Sequence, residues 1–242
     1  MPSVIQLENV TYGYDRNSVV WRVSGSFAQG SMTAVVGPNG GGKSTLLKGI
    51  MGWLRAWNGR VVWQGLSLAD VGYLPQRVEI DRSFPMTVLD AVLLGFWRQC
   101  GGWRSMTAAM KARARQALVE VGLPECENRL IGGLSSGQFQ RVLFARLMVQ
   151  DARVLLLDEP FSAIDAGTAE HLLCLARQWH VEGRTIIAVL HDFDQVRRFF
   201  PETLLLAREI IGWGATSEIL IPPFLSQARV AADVWDQRSK AA

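Results

Sequence analysis

Cysteine is scarce in this chain. Its 242 residues include three, Cys100, Cys126 and Cys174, an odd number with no C-x-x-C pair. That argues against a disulfide framework and for free or buried thiols in a reducing compartment. Long apolar runs are missing too. No stretch reaches the roughly 18 residues that read as a membrane-spanning helix, although 49% hydrophobic content is ample for a core. Met1 to Val10 has no basic stretch followed by an apolar one, so no secretory leader is expected and the protein should be cytoplasmic. An excess of one charge is also absent: 25 Lys and Arg face 22 Asp and Glu, a net of +3. The pI is 9.0, but the basic residues are scattered, so no nucleic-acid partner is expected. No internal repeat or low-complexity segment occurs, and no His/Cys/Asp cluster has metal-ligand spacing. The length suits one large α/β domain or two small ones.

What the chain does have is Gly37-Pro38-Asn39-Gly40-Gly41-Gly42-Lys43-Ser44-Thr45. This fits G-x-x-x-x-G-K-[ST], the phosphate-binding loop. Thr33 to Val36 before it reads as a short buried strand, and Leu46, Leu47, Ile50 and Met51 after it recur at helical spacing. The glycines let backbone N–H groups approach phosphate oxygens with no Cβ in the way. The helix start adds orphan donors and the positive end of its dipole. Lys43 would bring a full positive charge to β/γ-phosphates, and the Ser44 hydroxyl is placed to ligate Mg²⁺.

Ahead of the loop, Ile5 and Leu7 alternate with polar residues, and Thr11 to Asn17 is turn-rich. Val19 to Val23 and Ser26 to Phe27 read as further strands, giving an antiparallel opening sheet. Tyr14 stands in a loop, where its ring either stacks on an adenine or is a half-exposed turn residue. After the loop helix, Trp53 to Gly59 reads as a connector. Arg60 to Trp63 and Val71 to Leu74 read as strands, the second running into Pro75-Gln76. The pattern then turns helical. Thr87 with Asp90 forms a capping box before Ala91, Val92, Leu93 and Leu94. A second helix runs from about Thr107 to Val121, closed by Gly122 and Pro124. A third, from about Gln138 to Val149, follows Leu134-Ser135-Ser136-Gly137.

From Asp151 the chain returns to α/β. Val154 to Leu157 is apolar on both faces, as in a central parallel strand, and it ends in Asp158-Glu159-Pro160. Buried acids are costly unless paired or metal-bound. At a strand's C-terminal edge beside a phosphate site they suit Mg²⁺ and general-base chemistry. A helix from about Ala166 to Val181 precedes the strand Thr185 to Leu190, which ends at His191, within reach of a γ-phosphate. His171 and His180 read as ordinary surface or packing residues. Thr203 to Leu206 and Glu209 to Trp213 read as a hairpin closing the sheet, and from Pro222 the chain reads as a short tail.

Together these pieces resemble the ATP-binding subunit of an ABC transporter, over residues 1–221. Gly37 to Thr45 matches the Walker A motif, Gln76 the Q-loop glutamine, and Leu134-Ser135-Ser136-Gly137-Gln138 the ABC signature. Asp158 and Glu159 match the Walker B pair, Ser162-Ala163-Ile164-Asp165 the D-loop, and His191 the switch histidine. Tyr14 falls where the family has an adenine-stacking aromatic. Two positions depart from the pattern: Ser136 replaces the usual signature glycine, and Phe139 stands where glutamine is common.

The resemblance implies an α/β fold: a RecA-like P-loop NTPase core (1–75 and 151–221) with an N-terminal antiparallel β subdomain and an inserted helical subdomain (about 76–150), then a tail at 222–242. It implies ATP and Mg²⁺ as cofactors, the metal held by Ser44, Asp158 and Gln76. Two copies would pair head to tail, each ATP lying between the Walker A of one and the signature of the other. Ser135 and the Gly137 N–H, at a helix start, would form the second half of the anion site. Glu159 would polarise the attacking water, His191 would touch the γ-phosphate, and Gln76 would relay the site's state to the helical lobe. The motor would drive an integral membrane permease from the cytoplasmic face of the inner (plasma) membrane, as a peripheral subunit. Pro75-Gln76-Arg77, Asp81, Phe84 to Asp90, Gly95, Arg141 to Arg146 and Asp158 to Phe161 resemble the zinc/manganese/iron class of bacterial metal importers. That class implies an extracytoplasmic metal-binding protein as an indirect partner. An importer for an iron chelate or cobalamin, and a soluble ABC ATPase acting on ribosomes or DNA, are the alternatives.

Overall fold

The computed structural model describes residues 2–15, 17–76, 84–101, 105–162 and 164–241. The chain opens with a long hairpin, β1 (Ser3–Tyr14) and β2 (Asn17–Ala28). Thr11, Tyr12 and Gly13, expected in a turn, belong to β1. Tyr12 explains why: its ring is 1% exposed and lies where a Cβ on Gly49 would stand, so burial overrides the turn-forming composition. The two segments expected between Val19 and Phe27 are one strand. β3 (Met32–Val36), wholly buried, leads through the glycine loop into α1 (Lys43–Ile50). β4 (Asn58–Trp63) pairs with β1, so Asn58 and Gly59 open a strand and do not belong to the connector. The first sheet, in the order β2-β1-β4, is antiparallel throughout.

β5 (Val71–Leu74) begins the second sheet, and the helical stretch follows: α2 (Val88–Leu93), α3 (Trp97–Cys100), α4 (Ala108–Glu120) and α5 (Ser136–Gln150). Thr87 and Thr107 cap α2 and α4 through their hydroxyls, and Gly122 leaves α4 at φ 72. α5 starts two residues before its expected start because Ser135 caps it. Ser135 Oγ accepts from the Gln138 N–H at 3.2 Å, and Gln138 Oε1 accepts from the Ser135 N–H at 3.1 Å. This reciprocal pair satisfies two donors that the helix end leaves orphaned.

β6 (Val154–Asp158), α6 (Ala166–Val181), β7 (Thr185–Val189), α7 (Phe193–Phe199) and β8 (Glu202–Ala207) complete a parallel order β5-β6-β7-β3-β8, which β9 (Glu209–Ala215) extends antiparallel. α8 (Thr216–Ile219) and α9 (Pro222–Ala241) follow. The expected tail is thus a helix. Its two leading prolines sit where a missing N–H costs nothing, and Phe224, Leu225, Ala228 and Ala231 pack on the main core.

Strand periodicity splits the interior. Ala34, Val36, Leu155, Leu157, Ile186 and Ala188 face one core, shared with the helical stretch. Val35, Val154, Leu156, Ile187 and Val189 face the other, shared with β1, β2 and α1. The parallel register pairs Val35 with Val189 and Asp158 with Val189. Gly37, Glu159 and His191 therefore leave the sheet at one edge, the carboxyl ends of its strands, where open α/β sheets bind ligands.

Candidate functional site

At that edge lies a cavity of about 670 Å³, with Asn39 to Thr45 as its floor and Gln76, Glu159, His191 and Val19 around it. The loop takes its shape from glycines that nothing else could replace. Gly37 has φ 146 and its Cβ would stand 1.9 Å from Leu206 O; Gly42, the N-cap of α1, has φ 88 and its Cβ would stand 2.5 Å from Val19 O. Lys43 is only 6% exposed. Its Nζ donates to Gly37 O at 3.0 Å and to Pro38 O at 2.9 Å. Burial pushes its pKa down, with the carboxylates of Glu159 and Asp158 acting in the opposite sense.

Ser44 Oγ donates to Asp158 Oδ1 at 2.8 Å, and the Tyr73 hydroxyl lies 3.5 Å from Asp158 Oδ2. Burial raises the Asp158 pKa; the Ser44 hydrogen bond opposes the rise and the neighbouring Glu159 charge adds to it. A buried carboxylate hydrogen-bonded by hydroxyls is one that a dication would relieve. The Ser44 hydroxyl, the Asp158 carboxylate and the Gln76 amide oxygen are hard donors of the kind Mg²⁺ takes together with phosphate oxygens and water. The residues present fit that ion.

Glu159 has φ 50, an uncommon conformation for a residue with a side chain. Three bonds hold it there: its N–H donates to Val189 O at 3.2 Å, and its carbonyl accepts from the Ser162 N–H at 3.3 Å and the Ser162 hydroxyl at 3.1 Å. The turn aims the carboxylate at His191, whose Nε2 lies 2.6 Å from Glu159 Oε1. Strain of this kind gathers at functional sites.

The cavity brings together Asn39, Gly40, Gly41, Gly42, Lys43, Ser44, Thr45, Gln76, Glu159 and His191. Gly37 and Pro38 shape the loop and Asp158 stands behind Ser44. Tyr14 ends β1 opposite Asn17, 43% exposed and outside the cavity lining; it closes a strand and does not sit free in a loop. Ser135, Ser136, Gly137 and Gln138 form the start of α5, also away from the lining, anchored by Leu134, which is buried in the core. Asp165 caps α6: its Oδ1 accepts from the Thr168 N–H at 2.9 Å, a bond that holds its carboxyl below the usual range. Arg77, Asp81 and Ala163 lie outside the described residues. Two participants went unnoticed in the sequence. Val19 lines the cavity from β2, and Tyr73 approaches Asp158 from β5; only their positions in the sheets disclose them.

Residues 20–162 match the family model described as ABC transporter. This chain belongs to the ABC transporter family. The zinc transport system ATP-binding protein TroB of Treponema pallidum (strain Nichols) is 37% identical to it over 243 residues, 98% of this chain and 91% of that protein. The manganese transport system ATP-binding protein MntB of Listeria monocytogenes is 36% identical over 218 residues, 88% and 91% of the two chains. Among solved structures, an ABC transporter assigned to the metal-chelate type, in an inward-facing conformation, superposes with TM-score 0.80 at 28% identity, covering 93% of this chain and 88% of that one. A dimeric ATP-binding cassette in a post-hydrolysis state with ADP and Pi superposes with TM-score 0.78 at 26% identity, covering 88% and 98%.

This ABC chain is accordingly a nucleotide-binding ATPase. Its P-loop NTPase fold, with the antiparallel sheet and helical insertion, is the one its sequence led us to expect. Cassettes of this family dimerise and belong to transport systems with membrane components. Among the described residues no helix is long and apolar enough to cross a membrane.

Proposed function

We propose that this chain is the ATP-hydrolysing subunit that powers a membrane importer of zinc or manganese ions. The observation that carries the proposal is the 37% identity to a zinc transport ATP-binding protein across 98% of this chain, with a manganese counterpart at 36%. ATP phosphates lie over the glycine loop, where Lys43 exchanges its two loop carbonyls for the β- and γ-phosphates. Glu159 accepts a proton from the attacking water, and His191, already 2.6 Å from that carboxylate, holds it and meets the γ-phosphate. Ser44, Asp158 and Gln76 would hold Mg²⁺, which would supply charge compensation in phosphoryl transfer. Gln76 also carries the site's state from β5 into the helical lobe.

A second copy, arranged head to tail, completes each site with its own Ser135, Ser136 and Gly137. The backbone donors at that helix start accept an anion whether residue 136 is glycine or serine, and Asp165 flanks the junction. Residues 1–75 and 151–221 act as the nucleotide-holding unit and 76–150 as the arm that faces an integral membrane permease. The assembly sits on the cytoplasmic face of the membrane, fed by an extracytoplasmic metal-binding protein. A specific observation favours a second reading, import of a metal chelate: the superposition on a metal-chelate type transporter. The two are separated by measuring cellular metals in a strain lacking this chain. Zinc or manganese should fall and be restored by the wild-type chain but not by Lys43→Ala. Normal zinc and manganese with failed uptake of an iron chelate or cobalamin would decide for the second reading.

A further inference from the structure

Arg208 has no part in the chemistry above, yet it bonds to Gly41 of the cavity lining and to two β2 residues, Ser18 and Trp21, on either side of the lining residue Val19. It is the tip of the β8–β9 hairpin, at φ 65, a region that long side chains seldom occupy. Its N–H donates to Gly41 O at 2.8 Å, in the phosphate loop, and its carbonyl accepts from the Trp21 N–H at 2.7 Å, in β2. Its Nη1 donates to Ser18 O at 3.2 Å, also in β2. The next residue, Val19, lines the cavity. The guanidinium also lies over the Trp235 ring of α9, 5.5 Å from its centroid, and that ring stands 6.4 Å from the ring of Trp21.

The phosphate loop follows β3 of the second sheet, whereas the wall at Val19 is part of the first sheet. A nucleotide that spans loop and wall feels the spacing between the two sheets, and Arg208 bonds to both sides of that gap. We propose that Arg208 is a positioning residue for the nucleotide, fastening the β2 wall to the phosphate loop, and that helix α9 sets its pose through Trp235. The proposal rests on the nucleotide reading of the cavity and adds a role for the C-terminal helix.

Arg208→Gly isolates the side chain, because glycine adopts φ near 65° without strain and keeps both backbone bonds. Calorimetry with MgADP, MgATP and magnesium tripolyphosphate, alongside steady-state hydrolysis, reads the effect, and the melting temperature without ligand checks the fold. MgATP and MgADP should bind about three- to tenfold more weakly, the scale of one net hydrogen bond, and KM should rise more than kcat falls. Tripolyphosphate, which touches the loop alone, should bind as it does to wild type. Arg208→Lys, which keeps a cation and a donor, should recover most of the loss, and Trp235→Ala should weaken the same nucleotides to a smaller extent. Unchanged nucleotide affinity in Arg208→Gly, or an equal loss for tripolyphosphate, overturns the positioning role. A Trp235→Ala chain that binds as wild type does overturns the role of α9. A wild-type chain that binds tripolyphosphate and MgATP equally well shows no use of the β2 wall and overturns the proposal too. Wild type that binds none of the three would instead sink the nucleotide reading beneath it.

Discussion

Glu159→Gln separates binding from hydrolysis at this site. Glutamine has the volume of glutamate, and Glu159 holds φ 50 through backbone bonds that the change leaves alone, so the turn should survive. The amide still reaches His191 but cannot take a proton from water. Removing a positioned general base costs about 10²–10⁴-fold in rate, or about 2.7–5.4 kcal/mol of barrier. Nucleotide affinity should hold, because the Glu159 charge is one of the influences that raise the Asp158 pKa; its loss leaves Asp158 more readily ionised. With hydrolysis blocked, the ATP-bound pair should persist. The assays are phosphate release, calorimetry with MgATP, and size exclusion with light scattering with and without ATP. Release at the wild-type rate would show that Glu159 is not the base. Lost hydrolysis with lost binding would make its role structural. Lost hydrolysis in a chain that stays monomeric under saturating ATP would refute completion of the site by Ser135 to Gln138 of a second copy.

Lys43→Ala should abolish productive ATP binding, a loss of about 2–5 kcal/mol for one partner of a desolvated charge pair; near-normal affinity in titration calorimetry would contradict the role. Tyr14→Ala should weaken ATP and GTP alike by about 1–3 kcal/mol if the exposed ring stacks on the base, with the melting temperature unchanged, whereas Tyr12→Ala should destabilise the fold because that ring is buried. Asp158→Asn should raise the melting temperature of the nucleotide-free chain at neutral pH while removing the further rise that Mg²⁺ and ATP give wild type. The sign follows from its raised folded pKa: the stabilising contribution is present in acid and lost as pH rises through that pKa, so the charged form costs stability at pH 7. The difference between variant and wild type should vanish below the ordinary carboxylate range, and a lower melting temperature at pH 7 would contradict it.

The glycine loop that floors the cavity was legible because its motif carries its own context. Gly37 to Thr45 lies between an apolar strand and a helical pattern, and Ala166–Val181 has the bounds its periodicity set. Other features needed the third dimension. Tyr12 in a polar, glycine-containing stretch looks like a turn until α1 packs against it. Ser24 and Gly25 break the apolar pattern of β2, so one strand read as two; Gly25 is where Trp213 crosses too close to admit a Cβ. α9 had a local signal, two prolines followed by Phe224, Leu225, Ala228 and Ala231, but the surface it packs on, β8 and β9, is formed only when those strands join the sheet. Val19 and Arg208 carry no motif at all; only the fold places Val19 on the cavity lining and Arg208 between Gly41 and β2.

Radiolabelled metal uptake into proteoliposomes tests the central claim most directly. The chain is reconstituted with the membrane permease and extracytoplasmic binding protein proposed for it, with MgATP on the side of the chain. Zinc or manganese should accumulate with wild type and ATP, and should not with Glu159→Gln or without nucleotide. Hydrolysis and uptake that respond to an iron chelate or cobalamin and ignore both metal ions would contradict the metal-import account, and hydrolysis that ignores the membrane partner would contradict the transporter account altogether.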